Sequence, residues 1–276
     1  LNAIEGLFPV KLYHYLKKAW FVNCISEIKP TGSSITFFDC WEHLSLAYNN
    51  IDPISSSCPL FQSDLQDTIE LKPGPIAKDM LSWGVDWINA ERVWGGEENA
   101  TDVKLGHIAG EGIKVGIIDS GIDYFHFDLS ENYAGGISFV VNDADPMDHM
   151  GHGTHVAGIV AAADNDRFSV IGVAPKVSLY AIKVANPHTT KSETLSNVIK
   201  GINWAIEQKL DIINLSLGWY EDSLTDSDKA ALEAAINKAY NHGIVIVAAA
   251  GNSGGDIAYP AKFENVIAVG NLKPVY

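Results

Sequence analysis

The sequence predicts an α/β protein with three layers, a mostly parallel sheet carrying helices on both faces. Two observations carry this. Five short, near-continuous apolar runs lie downstream of residue 110, the pattern of strands buried on both faces. Amphipathic helical patterns separate several of these runs, and alternation of this kind implies crossover connections between parallel strands.

The elements follow in order. "KVGII" (114–118) is the first strand, and "MGHGTHVAG" (150–158) places His152 and His155 at the head of a helix. "VSLYAIKV" (177–184) is the next strand. Residues 191–208 put Leu195, Val198, Ile199, Ile202 and Ile206 on one helical face, and Thr190 with Glu193 has capping-box spacing before them. "DIINLSL" (211–217) is a strand. Residues 226–242 align Leu232, Ala235, Ile236 and Ala239, with Thr225 as N-cap. "IVIVAAA" (244–250) and "NVIAVG" (265–270) complete the series, the last read as a strand of the central type. Ligands of such sheets bind beyond the carboxyl ends of the strands. Asp119, "GW" (218–219) and "GN" (251–252) each follow a strand and are expected on one rim.

Composition bounds the rest. The 276 residues are 47% apolar, enough for one large domain with a smaller segment. A net charge of −15 disfavours nucleic acid. No apolar run reaches the ~20 residues that span a bilayer, and no signal peptide is legible. The chain starts with Leu, as a processed or cut chain does. Cys24, Cys40 and Cys58 are odd in number and confined to the first 60 residues. Character changes near residue 78: three glycines precede it and 21 follow, and "ELKPGPIAKD" reads as a linker. The expected division is 1–78, a pro-segment or N-terminal extension, and 79–276, the main domain.

"VGIIDSGID" (115–123), "GHGTHVAGIVAA" (151–162) and "AAAGNSG" (248–254) occur in the order Asp, His, Asn. With "GVAP" (172–175), "NLSLG" (214–218) and "YPAKFENVIAVG" (259–270), they resemble the subtilisin-like serine proteases from about residue 79 onward. A serine hydroxyl is a weak nucleophile at neutral pH and needs a base in hydrogen-bond reach. The resemblance makes His152 that base, Asp119 the group that fixes its tautomer, and Asn252 a donor to the oxyanion. The glycines beside His152 are expected to leave room for substrate and serine, and His155 to be a packed or hydrogen-bonded support. The family's Gly-Thr-Ser-Met-Ala-like nucleophile motif does not occur in these residues. The resemblance therefore implies a peptidase domain incomplete at its C-terminal end, its serine beyond residue 276, and a 276-residue chain inactive alone. "GNSGG" (251–255) fits a nucleophile elbow, but no helix pattern and no Asp-then-His order follow it, so Ser253 is not read as the nucleophile.

The resemblance also implies a structural calcium site from Asp79, Asp128 and Asp166, with the loop carbonyls of Asp164, Phe168 and Val170; hard cations take such oxygen ligands. Ser216, Leu217 and Gly218 match one wall of the substrate cleft, and Ala249, Ala250 and Gly251 the pocket beside it. Such clefts bind extended peptide by strand addition. Trp219 stands where many members have a small residue, followed by an acidic loop, "YEDSLTDSD", read as solvated surface rather than a selector of basic side chains. His149, His152 and His155 lack the spacing of a zinc site. The expected function is a secreted serine endopeptidase acting on peptide or protein substrates, with its own pro-segment as a partner and neither nucleic acid nor membrane involved. An intracellular member remains open, and the rival reading is an inactive peptide- or partner-binding relative.

Overall fold

The computed structural model describes residues 80–94, 109–165 and 169–270. Residues 1–79, with the three cysteines and the expected pro-segment, lie outside the described residues, as do Asp79, Asp166 and Phe168.

Six strands form one parallel sheet in the order β3-β5-β2-β6-β7-β8: β2 (Lys114–Asp119), β3 (Tyr133–Ser138), β5 (Ser178–Lys183), β6 (Ile212–Leu215), β7 (Val245–Ala249) and β8 (Ile267–Val269). A two-residue parallel pair, β1 (Met80–Leu81) with β4 (Val170–Ile171), lies apart. β2 is central, pairing with β5 and β6. Every residue of β6 is buried, as its unbroken apolar run requires. β8 takes the sheet edge among the described residues and is half-buried along its length, not central as its sequence suggests.

Helices cover both faces. On one side α3 (His152–Ala161) places Val156, Ala157 and Ala161 against Val115, Ile117, Leu179, Ala181 and Val247. On the other, α4 (Lys191–Glu207) and α5 (Asp226–Asn241) place Val198, Ile202, Leu232 and Ile236 against Ile118, Ile182, Ile213 and Ile246. Each such fully buried aliphatic side chain contributes about 1.5–3 kcal/mol relative to exposure. Both expected N-caps form complete capping boxes, Thr190 with Glu193 and Thr225 with Asp228. Two short helices, α1 (Trp83–Trp87) and α2 (Ala90–Trp94), precede the sheet; the buried Trp94 indole donates to the Val173 carbonyl at 3.0 Å.

The parallel register brings the strand ends level. Asp119 pairs across from Lys183, and Asn214 of β6 lies beside Ile117 on one side and Val247 on the other. The segments after β2, β6 and β7 therefore emerge along one rim.

Candidate active site

Asp119 ends β2 and is fully buried; His152 opens α3 and is 21% exposed at its side chain. Their atoms Nδ1 and Oδ1 are 2.7 Å apart. The same Oδ1 accepts the Ser120 N–H at 2.7 Å, and Ser120 Oγ accepts the Gly153 N–H at 2.9 Å. Strand end and helix start are thus laced together on either side of the pair. The Asp119 carboxylate holds the His152 pKa above the ordinary imidazole value of 6.5; burial opposes this, while the hydrogen bond and the nearby Asp148 charge reinforce it. With Nδ1 engaged by a carboxylate, the other ring nitrogen, Nε2, is the one that can take up and release a proton.

The residue types around His152 have backbone reasons. Gly151 has φ 86°, in the left-handed region, and a Cβ on Gly153 would overlap the Gly121 carbonyl oxygen. Gly151 thus answers to backbone conformation and Gly153 to close packing. Gly151 has no capping side chain; Asp148 supplies that function from three residues earlier. Its Oδ1 accepts the N–H groups of Met150 (2.8 Å) and Gly151 (2.9 Å), and its Oδ2 accepts the N–H (2.9 Å) and hydroxyl (2.7 Å) of Thr154. Thr154 Oγ1 in turn accepts the Asp123 N–H at 2.9 Å. Below the loop, Lys183, 1% exposed, ion-pairs with Asp143 at 2.7 Å and donates to the Met147 carbonyl at 2.7 Å. Sequence reading missed both residues. An acidic residue just ahead of a helix is a legible signal for Asp148; a lysine inside an apolar run hides Lys183. His155, expected as a support, is exposed and makes no side-chain hydrogen bond among the described residues.

Of the expected cleft residues, Leu217 is buried, while Ser216 is partly buried and its Oγ accepts the Asn214 amide at 2.9 Å. Ala249 ends β7. Ala250 donates to Val269 at 2.8 Å and accepts from Ala258 at 2.9 Å. Gly251 has φ 104° and Asn252 is exposed. Gly218 stands against the other side of Ala258: a Cβ on either Gly218 or Gly251 would come to 3.3 Å from the Ala258 methyl. The two segments thus flank a common floor. Ser253 is exposed, its Oγ accepting the Gly255 N–H at 3.2 Å.

The acidic loop is largely engaged. Glu221 binds Lys229, accepts from Lys262 at 2.9 Å and from the Tyr259 hydroxyl at 3.0 Å, and these partners bring its pKa down to about 2. Asp228 caps α5. Glu221 is thus neutralised by two lysines, while Asp226 stands fully exposed, 3.6 Å from Lys229.

At the expected calcium site, Asp128 is 2% exposed. Its Oδ1 accepts the Asn165 amide at 3.3 Å and its Oδ2 accepts the Ser169 hydroxyl. Asp164 and Val170 lie on the same 164–170 segment, Val170 exposed on β4. Among the described residues, no group of three His, Cys, Asp or Glu side chains is placed to hold a metal.

The Asp119–His152 pair at the rim of the parallel sheet is an arrangement that can take up and release a proton at the free ring nitrogen, and the comparisons specify the class of protein. The model of the Subtilase family matches residues 110–274, more than half of the chain. The chain belongs to the subtilase family. It is 52% identical over 166 residues to subtilisin DY of Bacillus licheniformis, covering 58% of this chain and 57% of that protein. To subtilisin E of Bacillus subtilis (strain 168) it is 47% identical over 167 residues, covering 58% of this chain and 41% of the relative. Among solved structures, the S41 psychrophilic protease superposes with a TM-score of 0.54 at 30% identity, covering 70% of this chain and 60% of that one. The chain thus spans about half the length of the curated relatives it matches. No helix among the described residues is long and apolar enough to cross a membrane.

Proposed function

We propose that this chain is the Asp- and His-bearing part of a serine endopeptidase that cleaves peptide bonds through an acyl-enzyme. The single observation that carries the reading is the 2.7 Å contact between buried Asp119 and His152 at the sheet rim. In the proposed reaction His152 Nε2 takes the proton of a serine hydroxyl as its oxygen adds to the scissile carbonyl. Asp119 keeps Nδ1 protonated and stabilises the imidazolium. The Asn252 carboxamide donates to the developing oxyanion. The imidazolium then gives its proton to the leaving amine, leaving the acyl-serine ester; water repeats the cycle and restores the serine. The serine lies beyond residue 276. Because the base acts unprotonated, activity rises as pH passes upward through the raised pKa of His152.

The substrate is an extended peptide lying between Ser216–Gly218 and Ala249–Gly251, added as a strand. The neutralisation of Glu221 by two lysines supports a cleft without selection for basic side chains. Calcium is the proposed structural ion. The oxygen-only donors Asp128, Asp164 and Val170 suit a hard cation, and the Asp128 carboxylate, 2% exposed, is a buried anionic oxygen pair of the kind such an ion takes. Residues 1–78 are proposed as a pro-segment or N-terminal extension, and secretion is proposed from the likeness to subtilisins.

The test is fluorophosphonate labelling of the complete gene product beside residues 1–276 alone. The complete protein is expected to label at a serine after residue 276, to hydrolyse peptide anilides, and to lose both with His152→Ala. Labelling of any serine within residues 1–276, or an in-frame stop directly after Tyr276 in the gene, overturns the reading in favour of a non-catalytic peptide-binding protein.

A further inference from the structure

We propose that Tyr220 is a positioning residue for Asn252, a phenol latch that ties the two walls of the cleft together and sets how Asn252 is presented. The catalytic meaning of the latch rests on the reading of Asn252 given above; the latch itself rests on geometry.

Both walls are fixed up to the point where Tyr220 joins them. After β6 the chain runs to Trp219, 6% exposed, which exchanges two main-chain hydrogen bonds with Tyr259 at 2.9 and 2.8 Å. Tyr220 follows directly, and its carbonyl accepts the Ser223 N–H at 2.8 Å. Glu221, the next residue, is held by Lys229, Lys262 and the Tyr259 hydroxyl. The tyrosine backbone is therefore anchored on both sides. Across the cleft, Ala250 is pinned between Val269 and Ala258.

Beyond Ala250 the support stops. Residues 252–257 are all exposed. Among the described residues, two hydrogen bonds involve residues 251–257. One is internal to the loop, Gly255 N–H to Ser253 Oγ. The other reaches the body of the fold: the Asn252 N–H donates to the Tyr220 hydroxyl oxygen at 2.9 Å. The tyrosine ring also closes on Gly251. A Cβ there would lie 2.9 Å from the phenol oxygen, 3.2 Å from a ring carbon and 3.3 Å from the Ala258 methyl. Gly251, at φ 104°, thus passes between Tyr220 and Ala258 with no space for a side chain.

The consequence is directional. With its main-chain nitrogen held, Asn252 has two rotatable bonds left before its carboxamide. A donor works on an oxyanion only when aimed before the charge develops, within a tolerance of about 0.5 Å. The rest of the loop is exposed and otherwise unanchored, so the phenol is what supplies that aim.

The test uses the 276-residue chain, Tyr220→Phe, and Tyr259→Phe as a control. The control removes a hydroxyl from the same surface patch without touching Asn252. Main-chain amide exchange and the side-chain NH2 resonances of Asn252 are followed by 15N NMR. Tyr220→Phe is expected to speed exchange of the Asn252 N–H by about five-fold, the scale of one ordinary hydrogen bond, and to shift its side-chain resonances; Tyr259→Phe leaves both unchanged. Exchange within two-fold of wild type in Tyr220→Phe, or equal changes in both variants, overturns the latch. A product-type peptide ending in a free carboxylate then probes the aim. Wild type is expected to bind it with a shift of the Asn252 NH2 signals, and Tyr220→Phe about five-fold more weakly. Equal affinity overturns the positioning role. A wild-type chain that binds no such peptide counts against the endopeptidase reading, while the exchange comparison still decides the latch.

Discussion

Removing the Asp148 carboxylate should cost stability out of proportion to one surface-loop residue. In Asp148→Ala, three main-chain N–H groups and the Thr154 hydroxyl lose their acceptor together. Loss of a helix cap alone costs about 1 kcal/mol. Asp148 is buried, at 8% exposure; hydrogen bonds to a charged acceptor contribute about 1.5–3 kcal/mol each, but those that share one carboxylate do not add in full. The expected net loss is about 3 kcal/mol, a fall of about 9 °C in Tm for a domain of this size. Asp145→Ala is the control: that carboxylate is exposed and accepts from Tyr124 and the Met147 N–H, so its loss should cost below about 1 kcal/mol. Urea unfolding followed by circular dichroism, at one pH and ionic strength, measures both. A loss under 1 kcal/mol in Asp148→Ala, or equal losses in the two variants, refutes the claim that Asp148 caps α3. The same variant should lower the His152 pKa, because Asp148 is among the charges that raise it.

Three further outcomes are expected. In Asp119→Asn, NMR titration should find the His152 pKa below its wild-type value. The stability that the raised pKa contributes is fully present below the unfolded value of 6.5 and is lost as pH rises through the folded one, so the gap between wild type and variant should narrow from pH 5.5 towards pH 9; a gap that widens contradicts the pair. Gly153→Ala places a methyl on the Gly121 carbonyl oxygen, and overpacking against backbone should cost more than about 2 kcal/mol in the same urea assay. Chelation should lower the Tm of the chain, since a cation bound only by the folded state stabilises it; an unchanged Tm in chelator counts against calcium.

The parts legible in the sequence are those whose physics leaves a periodic trace. β2, β5, β6 and β7 are apolar on both faces, and α4 and α5 carry Thr caps with apolar stripes, so both types were readable within a residue or two. β3 was not, because "YAGGIS" has two adjacent glycines and only half-buried or exposed positions, and it pairs through a register shift. The two-residue strands β1 and β4 are shorter than any period. At the site, Asp119, His152 and Asn252 stand in motifs, whereas Asp148, Lys183 and Tyr220 act through loops whose partners lie elsewhere in the chain. Lys183 is the clearest case. Nothing in "LYAIKV" tells that the amine is buried, because its partners, Asp143 and the Met147 carbonyl, come from a separate loop.

The acidity of the chain takes on a structural meaning from these contacts. Asp148, Glu193 and Asp228 each accept main-chain N–H groups at or near a helix start, where the helix dipole favours negative charge. Asp211 accepts the Lys114 N–H at the start of β2. Hydrogen bonds from Thr190 and Thr225 hold the carboxyls of Glu193 and Asp228 below their ordinary values, and the lysines around Glu221 do the same there. A carboxyl with a depressed folded pKa contributes stability above its unfolded value and loses it as pH falls through the folded one. His152 runs the other way, favouring the folded state on its acid side. Glu193 and Asp228 therefore lose a stabilising contribution as pH falls, and the site histidine works in the opposite direction. The two act on opposite faces of the sheet, the capped helices α4 and α5 on one and α3 with its Asp–His pair on the other.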